Sequence, residues 1–144
     1  MNEQSTQKPF EDVPVNRKIV ISGLWVTSMF LFIYVDYFGL FIPGVMEKII
    51  AGEVAHTGIQ VSQIFLFAAM TLMIIPSIMI ALSLTLKAKA NRWTNIIVGV
   101  LQIIVLIAGT IGETWFYYIY ATVFEVALIA LIVWYAWKWP RQEA

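Results

Sequence analysis

The stretch "YYIYATVFEVALIALIVWYAWKW", Tyr117 to Trp139, decides the fold class. An α-helix needs about 20 mostly apolar residues to cross a bilayer, and this run supplies them. Tyr and Trp gather at both of its ends, where an apolar ring with one polar atom suits the membrane interface. Glu125 sits near its middle. A carboxyl group in hydrocarbon is costly to insert, so it needs either a partner inside the protein or a task.

Three more segments share the pattern. They run from Ile19 to about Phe41, from Ile64 to Leu86, and from about Ile96 to Ile111; the quoted stretch belongs to a fourth, 115–137. Together with their connections they occupy nearly all 144 residues. The expected fold is therefore all-α, an integral membrane four-helix bundle running up-down-up-down. It is one domain over 17–140, with a polar tail at 1–16 and a short tail at 141–144. Composition agrees: 60% of residues are hydrophobic and 12% charged, against about 25% charged in soluble domains. The polar start, "MNEQSTQKPFEDVPVNRK", lacks the pattern of a secretory signal, so the first span is expected to be retained.

A formal net charge of zero conceals an asymmetry. Lys8, Arg17 and Lys18 precede the first span, Lys87, Lys89 and Arg92 lie between the second and third, and Lys138 and Arg141 follow the fourth. Only Lys48 lies in another connection. Positive charge favours the cytoplasmic side, so both termini are expected inside, in the cell's inner (plasma) membrane. Between the first two spans, "VMEKIIAGEV" places Val45, Met46, Ile49 and Ile50 opposite Glu47 and Lys48. It reads as a short helix on the outer surface rather than a re-entrant segment.

The chain has no cysteine, which removes thiolate catalysis, iron–sulfur ligation and Cys-based zinc sites. Phosphate loops, nucleophile elbows and HExxH are absent as well. The chain is therefore not expected to be an enzyme, to carry a cofactor or metal, or to bind nucleic acid. Its expected surroundings are the lipid bilayer, and a homo-oligomer or a partner membrane protein would complete any assembly.

Counting rise per residue sets depth. Glu125 lies about 20 Å from Lys138 and about 15 Å from Trp115, Gln102 about 15 Å from Arg92, and Pro76 about 16 Å from Lys87. Thr27 and Ser28 lie about 14–15 Å from Lys18. These residues, with Thr122, form an expected midplane polar layer. On the third span Asn95, Gly99, Gln102, Leu106, Gly109 and Glu113 recur at steps of three and four, which holds one face. Its small members permit close helix approach. Thr114, Tyr118, Thr122 and Glu125 form a facing stripe on the fourth span, which makes Gln102 the expected partner of Glu125. Pro76 removes an N–H and frees the carbonyl of Leu72 as a second candidate. Apolar surroundings favour the neutral acid, which can donate to either.

At the outer side Asp36, His56 and Glu113 form a second expected cluster, read as a solvated interface or vestibule rather than a metal site. The basic loop contributes Asn91, Arg92, Trp93 and Asn95. "IIPSIMIALSLTL" at 74–86, "NRWTNIIVG" at 91–99 and "YYIYATVFEVALIALIVWYAWKWP" at 117–140, with the early Asp of "FIYVDYFGLFIPG", resemble an uncharacterised bacterial family of small four-helix membrane proteins. That resemblance implies the architecture and singles out Asp36, Pro76, Asn91, Arg92, Trp93, Asn95 and Glu125, but it implies no activity. Two functions lead: a proton-coupled transport or small-molecule-binding bundle using Glu125, or a non-catalytic membrane subunit or assembly factor whose polar layer fixes helix packing. A third, a membrane enzyme acting on a lipid or quinone, ranks last because it would need a second catalytic group beyond Asp36 and Glu113.

Overall fold

The computed structural model describes residues 12–54 and 58–140. It is all-helical, with four long helices and one short one: α1 (Arg17–Gly39), α2 (Val45–Ile50), α3 (Gln63–Thr85), α4 (Ala88–Thr110) and α5 (Phe116–Trp137). The four long helices have 22 or 23 residues each and are apolar enough to cross a membrane. At 1.5 Å per residue each reaches about 33–35 Å, slightly more than the hydrocarbon core.

Local chemistry sets the ends. The Asn16 side chain accepts from the Lys18 N–H at 2.9 Å and opens α1, and Ser62 accepts from the Phe65 N–H at 3.1 Å to open α3. Each satisfies one of the amides that a helix start leaves without a partner. Past Gly39 the chain turns through Pro43 and Gly44, whose φ of +84° suits glycine. Before α5, a Glu113 carboxylate oxygen accepts from the N–H groups of Thr114 and Trp115 at 2.8 and 2.9 Å.

The third span departs from its expected limits. It begins at Ala88 rather than near Ile96, and only Leu86 and Lys87 separate it from α3. The polar "KANRWTN" reads as loop in the sequence because it lacks an apolar run. Its Asn91 and Asn95 are four residues apart and fully buried, so this segment is a helix with a polar inner face. The expected short helix after the first span is α2, with Val45 buried and Glu47 and Lys48 exposed.

Helix α1 is central, packing on α3 along one side and on α5 along the other, while α4 lies against α5. Helices α3 and α4 touch little despite their short connection. The core joins Ile21, Trp25 and Phe32 of α1 to Met79 of α3 and to Ile129 and Ile132 of α5. Large apolar side chains such as Phe30, Phe67, Ile104 and Leu131 point outward. In lipid such exposure carries no penalty, so association rests on close packing and interhelical hydrogen bonds. Gly99 of α4 supplies the closest approach: a Cβ there would lie 2.6 Å from Val133 Cγ2 on α5.

The ends of α3 and α5 meet the start of α1. The Arg17 guanidinium donates to the carbonyls of Tyr135 and Lys138 at the end of α5. The Lys18 ammonium donates to the carbonyls of Leu84 and Leu86 at the end of α3, at 3.1 and 2.7 Å. Terminal carbonyls lack intrahelical donors and carry the negative end of the helix dipole, so cations belong there.

Candidate functional site

Most of the residues expected in a midplane layer are buried. Glu125 is 3% exposed, Gln102 5%, Thr122 7% and Ser28 0%, and Pro76 is buried in α3. Thr27 does not belong to it, because its side chain faces outward and its hydroxyl donates to the Gly23 carbonyl at 2.9 Å. Ser28 and Thr122 likewise donate within their own helices, to the Leu24 and Tyr118 carbonyls at 2.9 Å. These hydroxyls therefore do not join one helix to another.

The expected bond between Glu125 and Gln102 is not made, and neither is one to the Leu72 carbonyl. Among the described residues the Glu125 carboxyl has no hydrogen-bond partner. Helical periodicity fixes a shared face, whereas a hydrogen bond requires heavy atoms about 3 Å apart. Leu72 also sits on α3, which packs on α1 and is not a close neighbour of α5.

Asp36 and Tyr118 are close enough to interact with Glu125 electrostatically, and Tyr118 also senses Asp36 and Glu113. Asp36, Glu113, Tyr117 and Tyr118 line a cavity of about 600 Å³ at the α2 end of the bundle. Val45 and Ile49 of α2 cover one side, and Glu53 adds a third carboxyl to the wall. Phe65, Val61 and Ile42 give the cavity an apolar body. Two glycines make room: a Cβ at Gly39 would lie 3.1 Å from the Tyr117 hydroxyl, and one at Gly109 3.4 Å from the Tyr118 hydroxyl. Gly109, expected to support helix contact, thus shapes a cavity, while Gly99 provides the contact. The structure brings Asp36 and Glu113 to one cavity; His56 lies outside the described residues.

A different polar centre occupies the opposite end. The Trp25 indole N–H donates to Asn95 Oδ1 at 2.7 Å, and the Ser83 hydroxyl donates to the same oxygen at 3.2 Å. The Asn95 amide donates to the Asn91 carbonyl and to Asn91 Oδ1, and the Asn91 amide donates to the Ser83 carbonyl at 2.6 Å. Trp25, Ser83, Asn91 and Asn95 are fully buried, so one network ties α1, α3 and α4 together. The sequence places Asn91 in a loop and Asn95 where that loop meets the third-span face, and it offers no signal for Trp25 or Ser83. The four-residue spacing of the two asparagines was the available signal. Ser22 adds a further link by donating to the Ile80 carbonyl at 2.9 Å.

Beside this network, on the same helix turns, Trp93 is exposed and Arg92 half-buried, its Nε buried without a hydrogen-bond partner. The guanidinium carbon is 5.5 Å from the rings of both Trp93 and Trp137, within cation–π range. Lys138 sits 4.0 Å over the Trp134 ring.

A family of unknown function, DUF6326, matches residues 8–144 of the chain. No curated protein and no solved structure matches it.

Proposed function

The chain belongs to this family of unknown function, and from that premise we propose that it is a small-molecule-binding membrane bundle in which Glu125 exchanges a proton as the adjacent cavity fills. The cavity carries this reading. Its volume of about 600 Å³ falls in the range of small-molecule sites, and its apolar walls with a few converging polar groups have the usual character of such sites. Glu125 is buried without a hydrogen-bond partner beside two of the lining residues. A side chain serving only as interhelical glue would be bonded, as Asn95 is. In this reading the basic end faces the cytoplasm and the cavity opens on the other side.

Mass spectrometry of small molecules retained by the protein after extraction from native membranes tests the reading. The parent should retain a compound that Gly109→Leu, which grows a side chain beside Tyr118, releases. Equal retention by both, or no compound in the parent, would count against it.

The second reading, a non-catalytic subunit or assembly factor, draws support from the Trp25–Asn95–Asn91–Ser83 network. Its groups satisfy one another and fix helix register without need of a ligand.

A further inference from the structure

We infer that the cavity takes an organic monocation, a protonated amine on an apolar body, with its ammonium held near Asp36 and Tyr118. This rests on the binding reading above and adds the charge of the ligand. Three carboxylates, Asp36, Glu53 and Glu113, contribute to the walls, and no lysine or arginine lines them among the described residues. The Tyr117 and Tyr118 rings stand beside these acids, and aromatic faces attract a desolvated cation. Glu125, 3% exposed and without a hydrogen-bond partner among the described residues, lies within electrostatic reach of Tyr118 and Asp36. Two acids so placed repel each other, and a single positive charge between them relieves that repulsion.

The rest of the wall specifies an organic ion rather than a bare metal. Among the described residues no three His, Cys, Asp or Glu side chains converge as a metal site. Val35, Ile42, Val45, Ile49 and Phe65 instead surround the acids with hydrocarbon. A metal ion demands several oxygen ligands at short range, whereas an alkylammonium asks for one or two carboxylates and an apolar surface for its chain. The matching arrangement of charge also has a kinetic use, because an acidic mouth concentrates cations before they bind.

The test uses three probes of matched shape: 4-phenylbutylamine, 4-phenylbutanol and 4-phenylbutyrate. Each is titrated into the full chain in lipid nanodiscs, with empty nanodiscs subtracting partition into lipid, and binding is followed by calorimetry. The amine should bind saturably and at least 10-fold more tightly than the alcohol or the acid. Asp36→Asn should weaken the amine at least 10-fold and leave the alcohol unchanged. Gly109→Leu should weaken the amine and the alcohol alike. Equal affinity for the three probes, or an Asp36→Asn variant that binds the amine as the parent does, would overturn the cationic assignment and leave the cavity a binding site. Failure of all three probes to bind saturably would remove the site, and with it the assignment.

Discussion

Replacing Gly99 by alanine should drive α4 and α5 apart. The added Cβ would stand 2.6 Å from Val133 Cγ2 and 3.5 Å from Ile129 Cγ2. Carbon atoms pack best at about 3.5–4.0 Å, so the first contact must open by about 1 Å. Val133 cannot easily yield, because a β-branched side chain in a helix has one strongly preferred χ1 rotamer. Overpacking of this kind costs about 1–3 kcal/mol, and a stiff neighbour puts this site in the upper half of that range. Alanine returns up to about 1 kcal/mol through its better helix propensity. The expected net loss is about 1–2 kcal/mol, read as an earlier midpoint in reversible unfolding by SDS from mixed micelles. Two companion variants isolate the cause. Gly23→Ala has nothing within 4 Å of its Cβ, so it should be neutral or stabilising by up to about 1 kcal/mol. Val133→Ala in the Gly99→Ala background should recover much of the loss, giving a coupling energy between the two sites. A Gly99→Ala protein as stable as the parent, or one whose loss is indifferent to Val133→Ala, would refute the close approach.

The buried network makes a second prediction: Trp25→Phe should cost about 1 kcal/mol, and Asn95→Ala about 1–3 kcal/mol because it strands donors on α1 and α3 and acceptors of Asn91; equal and negligible losses in the same unfolding assay would contradict it. Glu125→Leu should fold at least as stably as the parent, since no hydrogen bond is lost, while abolishing ligand-coupled proton exchange in proteoliposomes. Glu125→Gln should also fold, and full exchange activity in either variant would show that the carboxyl has no protonic role. Reporter fusions at the C-terminus and within 45–54 should report opposite compartments, the C-terminus cytoplasmic; matching compartments would break the four-span arrangement.

The sequence by itself determined the membrane class, the four spans and the burial of Glu125, Gln102 and Thr122, because hydropathy and helical period are local properties that hydrocarbon enforces strictly. The meeting of Asp36 with Glu113 was legible too, since span lengths alone put both at one end. Tertiary structure decided what these residues touch. Asn91 reads as a loop residue and Asn95 as the first of the third-span face; only Trp25 and Ser83, on two other helices, give them partners. Gln102 and Glu125 look paired by periodicity, yet in the packed bundle they make no hydrogen bond, and Glu125 lies within electrostatic reach of Asp36 and Tyr118 instead. Periodicity says which face a residue is on, to within a residue's arc of the helix. Distances of 3 Å between side chains on different helices depend on how the helices nest, and only the packed bundle fixes that.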